Sequence, residues 1–188
     1  SLSAFSFYAV RLSFGRSNIP DISYPPYTLV QVPVKSPPMH FWILMGETLR
    51  GNRMSVYGYP RDNTPGLAAM YRASELQAVP GIAGAASTGV SIPLFINGVM
   101  EPGNEEELQH RVGNLFRQAK RAGYHTFWLS TQESKLLNDL GPEAIDTIFT
   151  KANDPLAVER EGDRLLLKLA QTLPTDRPTF GVINMRAA

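Results

Sequence analysis

The sequence contains no cysteine, no long apolar run and almost no net charge. Without cysteine, disulfides, thiolate zinc sites, iron–sulfur clusters and thiol nucleophiles are all excluded. There is no run of about 18 apolar residues, the length of a membrane-spanning helix, and the first residues lack the basic head and cleavage site of a signal peptide. Because 18 Lys and Arg balance 17 Asp and Glu, with no concentrated basic stretch, no nucleic-acid partner is expected.

The composition of the chain is typical of one folded domain. Of the 188 residues, 43% are hydrophobic and only 19% are charged, which argues against disorder. Prolines are dense in residues 1–38, so we predict an extended lead-in or linker there and a folded domain over residues 39–188. The chain starts without Met and stops directly after an apolar run, which we interpret as a piece of a longer protein.

Residues 39–188 alternate buried apolar runs with amphipathic segments. Strands are predicted near 40–45, 124–129 and 179–183, the first of them buried on both faces and ended by Gly46. Helices are predicted over 65–78, 104–122 and 158–173. The second helix would be capped by Asn104, closed by Gly123 and striped with apolar residues, which are Leu108, Val112, Leu115, Phe116 and Ala119. This alternation predicts an α/β fold, a mainly parallel sheet with helices on both faces.

Ligands of open α/β sheets gather outside the carboxyl ends of the strands. The polar groups that follow the first two predicted strands are therefore candidates, namely Glu47, Thr48, Ser130, Thr131 and Gln132. A second candidate is the hydroxyl cluster of residues 86–91, since a hydroxyl becomes a nucleophile when a base, a metal or a helix N-terminus stabilises its oxyanion. From the residues alone, the better interpretation of Glu47 is a carboxylate at a helix N-terminus, and that of the hydroxyl cluster is an N-cap turn.

Three ordered segments resemble the bacterial phosphoethanolamine transferases, membrane-anchored members of the alkaline phosphatase and sulfatase superfamily. The first family segment reads G-E-[ST]-x-R and then G-Y-x-R-x-T-T-P. This chain matches it at Gly46, Glu47, Thr48, Arg50, Gly58, Tyr59, Arg61, Thr64 and Pro65, with Asn63 in place of the usual Thr. The second, S-T-x-V-S-[VI]-P, stands at residues 87–93. The third, G-Y-x-T-x-W-[IL]-S-N-Q, stands at residues 123–132, with Thr131 in place of Asn.

The resemblance implies a zinc site in which Glu47 is a ligand and Thr88 is both ligand and nucleophile. Two ligands of one Zn²⁺ must lie within about 5 Å of each other. The family also uses an Asp-His pair in an S-D-H-G segment and further His ligands, whereas none of the histidines here follows an Asp. This chain offers at most two zinc ligands, so we expect a C-terminally incomplete three-layer α/β/α sandwich of alkaline phosphatase type that is inactive on its own.

The resemblance also implies a function. Phosphoethanolamine would pass from phosphatidylethanolamine to an envelope glycan or lipid, such as lipopolysaccharide, through a phospho-threonine at Thr88. Gln132 and Lys135 are candidate substrate contacts, although from the residues alone a solvated lysine at a helix start is the better interpretation of Lys135. The site would lie on the periplasmic face of the inner membrane, with the membrane anchor outside this chain.

Two other readings stay open. The first is a hydrolase of the same superfamily, a phosphodiesterase or a sulfatase, but residues 91–95 lack the final Arg of the sulfatase motif C/S-x-P-x-R. The second is a catalytically silent domain that keeps the fold.

Three histidines are candidates that we interpret as structural. Glu107 and His110 have the E-x-x-H spacing of di-iron bundles, but the motif occurs once, so a solvated first helical turn is the better interpretation. His40 and His125 lie in predicted strands and are interpreted as packed or edge residues.

Overall fold

The computed structural model describes residues 39–47, 49–99, 108, 111 and 113–186. A four-stranded, fully parallel sheet in the order β1-β4-β2-β3 forms its centre. The strands are β1 (His40–Met45), β2 (His125–Ser130), β3 (Thr147–Phe149) and β4 (Thr179–Asn184). The three predicted strands are confirmed to within one residue, and the short β3 was not predicted. The lead-in predicted for residues 1–38 lies outside the described residues.

Within those residues the chain forms six α-helices. They are α1 (Pro65–Arg72), α2 (Thr88–Ile96), α3 (Leu115–Arg121), α4 (Leu137–Leu140), α5 (Pro155–Glu161) and α6 (Arg164–Ala170). Short 3-10 turns add Gly51–Arg53, Ser55–Tyr57, Ser134–Leu136 and Pro142–Ala144. None of the helices in the described ranges is long and apolar enough to cross a membrane.

Apolar side chains pack on both faces of the sheet. On one face, α2 and α3 place Ile96 and Phe116 against Trp128 of β2 and Val182 of β4. On the other face, α6 packs on alternate side chains of the same two strands; this cluster contains Phe127, Leu129, Leu166, Ala170 and Ile183. The predicted three-layer α/β/α arrangement is therefore confirmed.

Strand β1 differs from the prediction of a strand buried on both faces. It lies at one edge of the described sheet and pairs with β4 alone. Its side chains are correspondingly exposed to solvent: Phe41 is 51% exposed, Trp42 40% and Leu44 63%. All six residues of β4 are buried instead, so a continuous apolar run did not identify which strand is central.

The helix predicted over 104–122 is also wrong in its extent. Arg111 has a left-handed φ of 51°, and α3 begins only after Asn114, whose side chain accepts a hydrogen bond from the Arg117 N–H. Gly113 lets the chain pass close to Asn97 at this interruption, because a Cβ there would lie 2.6 Å from the Asn97 carbonyl oxygen. Gly123, with φ 86°, follows the end of α3 as predicted. The proposed cap, Asn104, lies outside the described residues.

The helix predicted over 158–173 is divided in two. Gly162 has φ 57° and ψ −142°, a conformation that is accessible essentially to glycine alone, and it separates α5 from α6. Asp154 caps α5 by accepting a hydrogen bond of 2.9 Å from the Ala157 N–H. The apolar periodicity continues through the break, which is why the pattern predicted one helix. The helix predicted over 65–78 ends earlier, at Arg72.

Two buried asparagines join α2, α3 and α4. Asn114 donates hydrogen bonds of 2.9 Å to Asn97 Oδ1 and to the Leu140 carbonyl oxygen. Asn97 in turn donates to the carbonyl oxygens of Pro93 and Asp139 at 2.8 Å and 3.0 Å. Both side chains are at most 1% exposed. This network fixes the C-terminal end of α2 relative to its neighbours.

We expect Asn114→Ala to lower the free energy of unfolding by about 3 kcal/mol, because it removes an N-cap and leaves buried acceptors unsatisfied. Urea unfolding followed by circular dichroism measures the change. Asn138→Ala is the matched control: its side chain is exposed on α4, so a change of less than about 0.5 kcal/mol is expected. Equal effects of the two substitutions would contradict a structural role for the buried pair.

Two carboxyl groups make part of the stability depend on pH. Partial burial opposes ionisation of Glu143, but hydrogen bonds from Arg117 and Arg111 outweigh it and lower its pKa from 4.5 to about 2. Burial likewise opposes ionisation of Asp146, yet bonds from Lys120 and Thr126 lower its pKa from 3.8 to about 2. Because each pKa is lower in the folded state, the stabilisation is complete above the unfolded value and is lost as the pH falls towards 2.

The expected result is a fall in melting temperature between about pH 4.5 and pH 2. Glu143→Gln should be less stable than the unmodified protein at pH 6, and the difference should shrink to nothing near pH 2. Both side chains are partly exposed, so the effect is screened and a high-salt series should reduce it. A difference that persists unchanged at pH 2 would show that charge is not its origin.

Candidate active site at the carboxyl edge of the sheet

Two predicted site residues meet at the carboxyl edge of the sheet. Glu47 lies two residues beyond β1, and Thr88 is the first residue of α2. The Thr88 hydroxyl donates a hydrogen bond of 2.9 Å to Glu47 Oε1, across 41 positions of sequence. Both residues are half-buried. Their separation is within the 5 Å expected of two groups that share one ion, while Thr48 lies outside the described residues.

Helix α2 begins at the Thr88 hydroxyl. Ser87 is extended, with φ −124° and ψ 143°, and its side chain makes no capping bond. The first backbone bonds of the helix run from the Val90 and Ser91 N–H groups to the Ser87 carbonyl oxygen. Among the described atoms, none accepts a hydrogen bond from the N–H groups of Thr88 and Gly89. A helix N-terminus with open N–H groups beside a hydroxyl suits an anionic group such as a phosphate.

The predicted substrate contacts, Gln132 and Lys135, lie on the segment that follows β2. Gln132 fixes the position of this segment. Its side chain donates a hydrogen bond to the Met185 carbonyl oxygen at 2.9 Å, and its backbone N–H donates one to Ser130 Oγ at 3.1 Å. Lys135 is exposed in the turn Ser134–Leu136. The next residue, Leu136, comes within 3.9 Å of where a Cβ on Gly89 would lie. Lys135 is thus one residue from a contact with the start of α2.

Thr131 has a supporting position, and sequence reasoning gave no role to its partner Asp163. Thr131 is completely buried, and its hydroxyl donates to Asp163 Oδ1. The same carboxylate oxygen accepts the Arg186 N–H at 2.9 Å. Asp163, between α5 and α6, therefore joins the segments that follow β2 and β4. A single acidic residue after Gly162 gave no sequence signal for this bridge.

Asn184 is the other residue that the sequence reasoning missed. It ends β4 between Met45 and Ser130, and its Nδ2 donates to Ser130 Oγ at 3.1 Å. It is 1% exposed, and Asn184 Oδ1 is a buried acceptor with no hydrogen-bonding partner among the described residues. A single asparagine that ends an apolar run, Phe180–Ile183, was the available signal.

The described histidines lie at the opposite edge of the sheet. His40 and His125 begin β1 and β2. Their ring nitrogens pair with the hydroxyls of Thr179 and Thr147 at 2.8 Å and 2.9 Å. Both positions fit a structural role away from Glu47 and Thr88. Glu107 and His110 lie outside the described residues.

The donor set at Glu47 and Thr88 fits part of a zinc site. A carboxylate oxygen is an ordinary zinc ligand, and the Thr88 oxygen lies beside it. Zinc takes four ligands in most protein sites, and the described part of the chain contains no group of three or more His, Cys, Asp or Glu that could hold a metal ion. Glu47 and Thr88 could therefore hold zinc only together with ligands from elsewhere.

Solved structures share this fold. The C-terminal periplasmic domain of EptC from Escherichia coli superposes with a TM-score of 0.58 at 23% identity, over 79% of this chain and 42% of that one. A second structure of that domain, in complex with Zn, gives the same TM-score at 22% identity, over 79% and 43% of the two chains. At this level of identity the match demonstrates the fold.

Sequence relatives point to one family. YhbX of Escherichia coli (strain K12) is 32% identical over 133 residues, 70% of this chain and 23% of that protein. Phosphoethanolamine transferase EptC of the same strain is 28% identical over 117 residues, 60% and 19% of the two chains. Phosphoethanolamine transferase CptA of Salmonella typhimurium is 28% identical, also over 60% and 19%. The chain thus spans about a quarter or less of the length of these curated relatives. The sulfatase family profile matches residues 39–183, and the chain therefore belongs to the sulfatase family.

Proposed function

We propose that this chain is part of a phosphoethanolamine transferase and that Thr88 is its nucleophile. The observation that carries the proposal is the 2.9 Å hydrogen bond from the Thr88 hydroxyl to the Glu47 carboxylate at the start of α2. Relatives that bear the name phosphoethanolamine transferase support the choice of transferred group. The donor in this proposal is phosphatidylethanolamine.

The reaction consists of two displacements at phosphorus. In the first, Thr88 Oγ1 gives up its proton and forms a bond to phosphorus, the bond from phosphorus to the diacylglycerol oxygen breaks, and that oxygen takes up a proton. In the second, a hydroxyl or phosphate oxygen of the acceptor attacks phosphorus and gives up any proton it carries, while Thr88 Oγ1 leaves and takes up a proton to become a hydroxyl again. The open N–H groups of Thr88 and Gly89 are placed to donate to the phosphoryl oxygens as charge develops there.

A metal ion belongs to the proposed site. Zinc, bound by Glu47 and Thr88 together with ligands outside the described residues, would lower the pKa of the Thr88 hydroxyl and so make it a nucleophile near neutral pH. The chain's own part is to hold the Thr88 oxygen beside a carboxylate and at a helix N-terminus.

Substrate contacts and location complete the proposal. Lys135 would pair with a phosphate oxygen, since its turn contacts the start of α2 through Leu136. Gln132 would hold that turn through its bond to Met185, and its side-chain oxygen, Oε1, would contact the substrate. The acceptor would be an envelope glycan or lipid such as lipopolysaccharide, at the periplasmic face of the inner membrane. The EptC domain that shares this fold is periplasmic, which supports that location.

The test uses the full-length protein and phosphatidylethanolamine labelled in its headgroup. We expect labelled protein, with the label on the peptide that contains Thr88, and its transfer to added lipopolysaccharide. Free labelled phosphoethanolamine, in amounts that are unaffected by the acceptor, would identify a phosphodiesterase instead. Release of sulfate from an aryl sulfate would identify a sulfatase, and no covalent label together with no turnover would identify a silent domain.

A further inference from the structure

The loop that follows Glu47 exposes a group of cationic and aromatic side chains. We name this group the arginine–tyrosine loop; its members are Arg50, Arg53, Tyr57, Tyr59 and Arg61. The arginines are exposed, and Tyr57 is 43% exposed. The Arg53 guanidinium lies 5.5 Å from the centre of the Tyr59 ring and donates to the Tyr59 hydroxyl at 3.2 Å.

The sequence of this loop contains few carboxylates to balance its arginines. Residues 49–72 contain four arginines and one acidic residue, Asp62, whose carboxylate accepts a hydrogen bond from the Ser55 hydroxyl. Over the described ranges, none of these arginines forms an ion pair, whereas six cationic side chains elsewhere do. Those six are Arg111, Arg117, Lys120, Lys151, Arg160 and Lys168. Although the net charge of the whole chain is close to zero, this loop therefore forms a local cationic surface.

The backbone of the loop is fixed by its own polar side chains. Asn63 accepts the Ser55 N–H at 3.0 Å and donates to the Arg53 carbonyl oxygen at 2.6 Å. The Thr64 hydroxyl accepts the Val56 N–H at 3.2 Å and pairs with the Ser55 hydroxyl at 2.8 Å. Because the short side chains fix the backbone, the loop loses less conformational entropy when a ligand binds to it.

The loop also borders the candidate active site. It begins just after Glu47, and the Tyr57 hydroxyl donates a hydrogen bond of 3.1 Å to the carbonyl oxygen of Val79, in the segment that leads to Thr88. This bond joins the two stretches of chain that carry the proposed ligand and nucleophile. Arg50, three residues after Glu47, is therefore the member of the loop that adjoins the site.

We propose that the arginine–tyrosine loop binds an anionic saccharide and so selects acceptors that carry phosphate or carboxylate groups. The proposal rests on the proposed function, since it describes the acceptor of that reaction. Guanidinium groups pair with phosphate and carboxylate oxygens through parallel, charge-assisted hydrogen bonds. Tyrosines supply an apolar ring face and a hydroxyl, which match the C–H and O–H groups of a sugar. Anionic saccharides therefore fit both the charge and the residue types of the loop.

The test compares two double variants of the full-length protein. Arg50→Gln with Arg53→Gln removes two charges from the loop, and Arg121→Gln with Arg177→Gln removes two exposed charges beside the amino ends of β2 and β4. The ligands are maltopentaose with a terminal 6-phosphate and the same sugar without phosphate, titrated by calorimetry. We expect the loop variant to bind the phosphorylated sugar about tenfold more weakly, the control variant to change less than twofold, and added salt to weaken binding. With a phosphorylated acceptor, the KM of the loop variant should rise, whereas its kcat should change little.

Three results would overturn the proposal: equal binding of the two sugars, equal effects of the two double variants, or loss of binding to phosphatidylglycerol vesicles with saccharide binding unchanged. The last result would assign the loop to the membrane surface. Labelling of Thr88 in the unmodified protein tests the proposed function separately. The calorimetric result needs no turnover, so the two proposals can fail independently.

Discussion

In the full-length protein, Thr88→Ala should reduce transfer of phosphoethanolamine by about 10⁴-fold or more and eliminate the covalent intermediate, as loss of a nucleophile does in other enzymes. The substitution removes the one oxygen that attacks phosphorus in the first displacement. It leaves the helix N-terminus, because the Val90 and Ser91 N–H groups bond to the Ser87 carbonyl oxygen rather than to Thr88. The loss should therefore appear in kcat and in the labelled intermediate, measured by mass spectrometry of the intact protein.

Stability should change little in this variant. Thr88 contributes one partly exposed hydrogen bond, to Glu47, and such a bond is worth about 1 kcal/mol. A melting temperature close to that of the unmodified protein separates the loss of chemistry from loss of the fold.

Ser87→Ala is the matched control, since this neighbouring hydroxyl makes no capping bond. It should retain nearly full activity, as should Ser91→Ala. Thr88→Ser keeps an oxygen at the reacting position and should recover a measurable part of the rate. Full labelling of the Thr88→Ala protein, or a loss of equal size in Ser87→Ala, would assign the nucleophile elsewhere.

The local sequence predicts the parts of this fold that depend on burial. The apolar stretches 127–129 of β2 and 180–183 of β4 are buried because helices cover both faces of these strands, as expected for central strands of a parallel sheet. The edge position of β1 could not be read from its residues, since strand order is a property of the whole chain. His40–Met45 is as apolar as a central strand.

Helix interruptions were missed for a related reason. The apolar spacing continues past Arg111 and Gly162, but a left-handed φ in one case and an unusual φ,ψ pair in the other end the helical conformation. The spacing of apolar residues indicates which face of a helix is buried. It does not indicate where a single residue has a backbone conformation that ends the helix.

The site was predicted only in part. Glu47 and Thr88 could be paired because they stand in ordered segments that resemble one family, and both lie at the edge where parallel strands end. Asp163 and Asn184 lie in no such segment. They act through long-range contacts, to Thr131 and to Ser130, and a tertiary contact between distant positions leaves no local pattern.

Glu47→Gln should lower the affinity of the full-length protein for zinc by about 100-fold or more, and transfer should fall with it. The glutamine has nearly the same shape, and its amide oxygen can still accept the hydrogen bond from the Thr88 hydroxyl. What the substitution removes is the negative charge, which makes a carboxylate oxygen a much stronger zinc ligand than a neutral amide oxygen. The variant thus distinguishes a ligand from a residue that only holds the threonine in place.

Competition with a chromogenic chelator measures the zinc affinity without any turnover. Glu75→Gln is the matched control, because Glu75 is exposed and makes no ion pair with any described residue; its variant should bind zinc like the unmodified protein. If Glu47→Gln binds zinc as tightly as the control, Glu47 is not a ligand. Its carboxylate would then act on Thr88 through the hydrogen bond alone, and activity would persist at the rate that a neutral acceptor supports. A large loss of zinc affinity, with the melting temperature of the metal-free protein unchanged, is the result that the geometry at the end of β1 leads us to expect.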